Sequence, residues 1–198
     1  DNSPEFIYYK TLFHIFEDYL KEQEALDFKE KDQLIVDSGI WNALFDFQKD
    51  GVKGAINKLT NYGGCIIADS VGLGKTYEAL AIIKYYELQN YRVLVLCPKK
   101  LKENWTVYQA NIGSELNPFP EDRFNYTVLS HTDLSRDSGY AGDINLENFS
   151  WGTYDLVVID ESHNFRNNTK GRRDEDGNLV SMSRYERLMQ NIIKGKVK

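Results

Sequence analysis

Two short stretches of this 198-residue sequence carry residue types that, at their spacing, could do phosphoryl chemistry. The first is Asp69-Ser70-Val71-Gly72-Leu73-Gly74-Lys75-Thr76. A glycine-bearing loop between an apolar run and a helix turns backbone N–H groups toward an anion, and the helix N-terminus adds partial positive charge. Gly72 and Gly74 permit conformations and close approaches that a side chain would block. Lys75 supplies a point charge for the β and γ phosphates of a nucleoside triphosphate, and Thr76 a hydroxyl that can ligate magnesium. The second stretch is Leu156-Val157-Val158-Ile159-Asp160-Glu161-Ser162-His163. Its four apolar residues predict a buried strand with two acids at its carboxyl end, where ligands of open α/β sheets bind. Asp160 suits magnesium, directly or through a water. Glu161 is placed to orient or deprotonate an attacking water. An acidic pair at a strand end is common in isolation; its weight comes from following the first stretch in the order a triphosphate site requires.

The elements that must position these residues can be read from periodicity. Phe45, Gln48, Val52, Ile56 and Leu59 share one helical face, ended by Gly63-Gly64. Cys65–Ala68 predicts a short apolar strand ahead of the 69–74 loop. A helix is predicted over 76–89, with Ala79, Leu80, Ile83 and Tyr86 periodic. Strands follow at Arg92–Cys97, Tyr126–Leu129 and Asp155–Ile159, with a helix over 100–110 that turns Leu101, Trp105 and Tyr108 inward. Residues 111–125 and 139–152 read as irregular, and 164–183, polar and glycine-bearing, as a mobile loop. A last helix spans 183–193. Strands without polar alternation, separated by helices, predict an α/β fold with a mostly parallel sheet covered on both faces.

Upstream, Ser3-Pro4-Glu5 has the form of a helix start, and Phe6, Tyr9, Phe13, Phe16 and Leu20 make one apolar stripe. That stripe fits packing on the main domain or on a further one. Residues 1–38 are expected to form a helical extension and linker, and 39–198 the nucleotide-binding domain. Net charge is −6, with 12 acidic and 5 basic residues in positions 1–50 and 18 acidic and 19 basic in the remainder. Indiscriminate nucleic-acid binding by the whole surface is therefore unexpected, while a local basic face stays open. No apolar run approaches the ~20 residues of a membrane span. The first residues lack the regions of a signal peptide, and a cytoplasmic location is expected. Cys65 and Cys97 are expected to be buried free thiols.

The motifs together resemble the first RecA-like lobe of superfamily II helicases, in the Swi/Snf-type, RapA-like branch. Asp69-Ser-Val-Gly-Leu-Gly-Lys-Thr76 resembles that branch's motif I, which carries Asp where other phosphate loops carry Gly. Asp160-Glu161-Ser162-His163 resembles motif II, a DEAH-like box with Ser162 in place of alanine, followed by the Arg166-Asn167 pair. Leu94–Pro98 with Asn104-Trp105 is similar to motif Ia, and Val128–Ser130 to motif Ib. Phe47-Gln48 resembles the end of the Q motif, with Phe45 and Asp46 where arginine and proline are usual. The resemblance covers about residues 40–170. It implies ATP and Mg²⁺ as cofactors, adenine reading by Gln48, and coupling of the nucleotide site to motif III through His163. It also implies double-stranded DNA as the partner, with backbone contacts near Lys99, Lys100 and Lys102, which otherwise read as a solvated helix start.

The family's motif III and second RecA-like lobe, with its arginine fingers, do not occur in this sequence. Loss of such a finger costs about 10³–10⁵ in rate in related systems. The expectation is a lobe that binds ATP and hydrolyses it poorly alone. The same lobe serves translocases, unwinding helicases, restriction or defence motors and RNA helicases. A nucleotide-gated protein-interaction module without catalysis is the reading from a different class.

Overall fold

Val93–Cys97 is apolar at every position, and it forms β1, the middle strand of a three-stranded sheet of order β2-β1-β5. In this computed structural model, which describes residues 6–8, 10–12, 33–68, 74–165, 170–194 and 197–198, β2 is Thr127–Ser130 and β5 is Leu156–Ile159. Both neighbours run parallel to β1, with Val95 opposite Val128 on one side and Val158 on the other. Side chains along a strand alternate between faces. Val93, Val95 and Cys97 accordingly enter one core with Val52, Ile56, Leu80 and Ile83, while Leu94 and Leu96 enter a second with Leu129, Trp151, Phe165 and Ile192. A strand buried on both faces has no polar side to show, which is why β1 lacks polar alternation.

The first core is built mainly by helices. After the short helices α1 (Gln33–Val36) and α2 (Gly39–Ala43), α3 spans Asp46–Tyr62 and buries Gln48, Val52, Ala55, Ile56 and Leu59. Gly63 ends α3 in a left-handed conformation, φ 74, with its N–H donating to the Leu59 carbonyl, the C-terminal cap that glycine favours. The fourth helix, α4, spans Lys75–Glu87 and buries Leu80–Ile83 and Tyr86. Ile35, 1% exposed, already belongs to this core, so the packed unit begins before the expected boundary at residue 39. The buried carboxylate of Asp122 accepts from the backbone N–H groups of Gly39 and Ile40, both at 2.7 Å, and fixes the start of α2 to a loop 82 to 83 positions away.

The second core is closed by segments the sequence left irregular. A hairpin of β3 (Tyr140–Ala141) and β4 (Ile144–Asn145) lies within 139–152. Residues 172–181 form another, β6 (Arg172–Arg173) with β7 (Leu179–Ser181), where a loop was expected. Its base is held by Glu186, whose buried carboxylate accepts from Gly171 N at 2.8 Å and Arg173 at 3.1 Å. A capped helical run follows at Arg184–Arg187 (α6) and Leu188–Ile192, with Ser183 accepting from Glu186 N. The helix expected over 100–110 is shorter, a 3₁₀ turn at Lys99–Leu101 and then α5, Lys102–Thr106.

Cys65–Ala68 is not a buried strand. It joins no ladder among the described residues, and Ile66 is 84% exposed. The physical reason is the missing neighbour. The free edge of β5 is met by Lys198, which accepts from Val157 N at 2.8 Å and donates to Asp155 O at 2.9 Å, while its ammonium reaches Leu59 O at 2.7 Å. Among the described residues no strand lies beside 65–68, so Ile66 and Ala68 stay exposed while Cys65 and Ile67 are only partly buried against the first core, whereas Cys97 is buried as expected. Of the N-terminal stripe, Phe6 is described and exposed; Tyr9, Phe13, Phe16 and Leu20 lie outside the described residues. No helix among the described residues is long and apolar enough to cross a membrane.

Candidate functional site

The three parallel strands end at one edge, and each delivers a polar turn there. Cys97 leads through Pro98 to Lys99, Ser130 to His131, and Ile159 to Asp160 and Glu161. The start of α4 lies at that same edge. Only five residues connect the end of α4 to the start of β1, and the helix packs on β1 and β5, so it must run antiparallel to them. A cleft lined by Glu87, Val93, Thr127 and Tyr154 marks the opposite edge, where α4 ends and the strands begin. Lys75 and Thr76, in the first turn of α4, therefore share an edge with Asp160 and Glu161.

Gly74 caps α4 in the left-handed region, φ 81, and a Cβ there would run into the Gln48 amide nitrogen. Glycine is thus required both by backbone conformation and by a close approach. Gln48 is buried, and its Oε1 accepts from Phe45 N at 2.9 Å, so it caps α3 while its amide nitrogen lies against Gly74. Exposed rings of Phe45 and Phe47 stack beside it, 6.0 Å apart. Asp69, Ser70, Val71, Gly72 and Leu73 lie outside the described residues.

Asp160 extends the β1 ladder by one bond, its N–H donating to Leu96 O at 2.8 Å. Its carboxylate Oδ2 accepts from the indole Nε1 of Trp105 at 3.0 Å. The Cys97 thiol beneath it is pushed up to about 12, first by burial and then by the Asp160 charge, and stays protonated at neutral pH. Glu161 adopts φ 54, a left-handed conformation uncommon for a residue with a side chain and found preferentially at functional sites. Its carbonyl accepts from Asn164 N and Asn164 Nδ2, both at 3.1 Å, and this holds the turn. The Glu161 carboxylate is half exposed, and Oε2 lies 3.2 Å from His163 Nδ1. His163 itself is exposed on the 3₁₀ turn Ser162–Phe165. Lys99 and Lys100 are exposed and Lys102 is half-buried, all on the turn after β1.

Sequence reasoning missed two residues at this site. Trp105 was expected to face inward, but not to end on a carboxylate 55 positions away. A buried indole N–H needs an acceptor, and that need was the available signal. His131 was given no role; it is 3% exposed, stacks edge-on against Phe165 at 4.8 Å, and has Nδ1 3.5 Å from Asn164 Nδ2, against the turn that carries Glu161.

Residues 47–116 match the SNF2-related domain. The chain carries a Swi/Snf-type superfamily II helicase lobe. Over 141 residues, 67% of this chain, it is 30% identical to the SWI/SNF-related matrix-associated actin-dependent regulator of chromatin subfamily A-like protein 1 of Xenopus tropicalis, and covers 14% of that protein. It is 32% identical over 147 residues to the DNA annealing helicase and endonuclease ZRANB3 of Homo sapiens, covering 65% of this chain and 12% of that one. The mouse protein of the same name is 29% identical over 141 residues, 65% of this chain and 12% of that protein. The chain therefore spans about one-seventh or less of the length of these relatives. No solved structure matches it. Within the Swi/Snf-type lobe, the family match runs from the start of α3 through α4, β1, the lysine-bearing turn and α5 to residue 116. Asp160 and Glu161 lie beyond that match and rest on the geometry above.

Proposed function

We propose that this chain is the ATP-binding lobe of a translocase or helicase that hydrolyses ATP with magnesium on double-stranded DNA, in concert with a second RecA-like lobe. One observation carries the reading: Lys75–Thr76 and Asp160–Glu161, 84 and more positions apart in sequence, share one edge of a parallel sheet. The donor set fits the cofactor. The Thr76 hydroxyl and Asp160 carboxylate are hard oxygen ligands, and magnesium bound by one or two protein oxygens plus phosphates needs no larger cage. Among the described residues no cluster of three His, Cys, Asp or Glu competes for that role. The backbone N–H groups at the head of α4, which opens directly after Gly74, suit an anionic phosphate.

In this reading the α4 N-terminus and the Lys75 ammonium bind the phosphates, and Thr76 and Asp160 hold the cation. Magnesium supplies charge neutralisation at the β and γ phosphates. Glu161 orients a water and takes its proton, and His163, at 3.2 Å, fixes the Glu161 carboxylate. Gln48, Asp69, Ser70, Val71, Gly72 and Leu73 complete the nucleotide pocket by family resemblance. Lys99, Lys100 and Lys102 add sequence-independent, salt-dependent affinity for the DNA backbone. The names of the relatives, a chromatin regulator and a DNA annealing helicase, support DNA as the track.

The test is titration of this chain with ATP and GTP in magnesium, beside Lys75→Ala. Selective ATP binding, weakened at least tenfold by the substitution, is expected. Equal binding by both proteins would remove the phosphate site from the reading.

A further inference from the structure

The element carrying the candidate DNA-binding lysines also carries an indole that donates to the Asp160 carboxylate. Residues 99–106 form a single short run, the 3₁₀ turn Lys99–Leu101 continuing into α5. Its outer side presents Lys99 and Lys100; its inner side presents Trp105, 3% exposed. Trp105 is fixed from both ends. Tyr126 Oη donates to its carbonyl at 2.5 Å, and the two rings meet edge to face at 6.3 Å. Its Nε1–H donates to Asp160 Oδ2 at 3.0 Å.

We propose that Trp105 is a positioning residue that links the nucleic-acid face at Lys99–Lys102 to the Asp160 carboxylate. The inference rests on the assignment of Asp160 to magnesium. The hydrogen bond commits Oδ2 to the indole and leaves Oδ1 as the oxygen that can turn to a cation, so the acid meets magnesium in one orientation. Because the lysines and the indole belong to one turn, a phosphate backbone drawn onto the lysines shifts the donor that orients the acid. The 99–106 run is contiguous between the two sites, and a shift of the turn that both sites bias is what would couple them. The interaction is charge-assisted, the stronger class of hydrogen bond, so small displacements matter to it.

The test uses this chain and the indole N–H resonances of Trp41, Trp105 and Trp151, each assigned by its Phe substitution. The Trp105 resonance is expected to move on adding magnesium with a non-hydrolysable ATP analogue, and again on adding a short duplex DNA. Combined Lys99→Ala, Lys100→Ala and Lys102→Ala substitution should remove the response to duplex and keep the response to nucleotide. Trp105→Phe keeps a ring and deletes the donor; it should raise the magnesium needed for half-saturation of nucleotide binding several-fold. Tyr154→Phe, which deletes a hydroxyl at the far edge of the sheet, controls for lost stability and should leave that requirement unchanged. A duplex that binds, by anisotropy, without moving the Trp105 resonance overturns the link. So does a magnesium requirement that is the same in Trp105→Phe and Tyr154→Phe. Nucleotide binding that survives Lys75→Ala overturns the phosphate-site reading itself, and the inference with it.

Discussion

At Gly74 the backbone turns left-handed one residue before Lys75, and a side chain there would meet Gln48. Gly74→Ala therefore combines a left-handed alanine, about 1–2 kcal/mol, with displacement of a buried amide that caps α3. The expected result is a lower midpoint in urea unfolding together with at least tenfold weaker ATP binding, read by titration with magnesium. Unchanged affinity would separate this glycine from the phosphate site. The sequence singles out Lys75, Thr76, Asp160 and Glu161 by type and spacing, and their part in triphosphate chemistry is the reading proposed above. The Trp105 bond was not, because a sequence shows that an indole needs an acceptor and not which of 30 acidic residues provides it.

Among elements, β1, β2 and β5 were legible to within a residue or two, since continuous apolar runs can be covered only in the interior of a sheet. The helices α3 and α4 were legible from their stripes and from Gly63. Cys65–Ala68 was not, because being a strand depends on a partner, and an apolar run cannot state who lies beside it. The 172–181 hairpin was missed for a related reason: its polar strands are anchored by one buried carboxylate, Glu186, which local pattern does not expose. Asp122 is the same kind of device. Asp122→Ala leaves the N–H groups of Gly39 and Ile40 without their acceptor, and a loss of roughly 1–3 kcal/mol in denaturant unfolding is expected. Asp122→Asn, which keeps one oxygen, should lose less.

Across the whole molecule, the two edges of the sheet differ in chemistry. The edge opposite the start of α4 holds the cleft with Lys84, Arg92, Arg123 and Glu87. Burial pushes the Glu87 carboxyl up to about 7, outweighing the Asn125 N–H and Lys84, which lower it. The folded chain then keeps a proton that the unfolded chain releases near 4.5. The stability this gives is fully present below about 4.5 and is lost as pH rises to about 7. In Glu87→Gln that loss should vanish, so the melting temperature of the parent should fall relative to the variant between those values and stay level above them. The sheet also closes loops of unequal length. Arg92 and Asp155, which pair where β1 meets β5, are 63 positions apart, against 32 for Cys97 and Leu129 on the β2 side. Closing the longer loop costs more chain entropy. Docking β5 on β1 therefore closes the longer loop, and a nucleotide held by groups on both α4 and the turn after β5 would favour the chain only with that contact made.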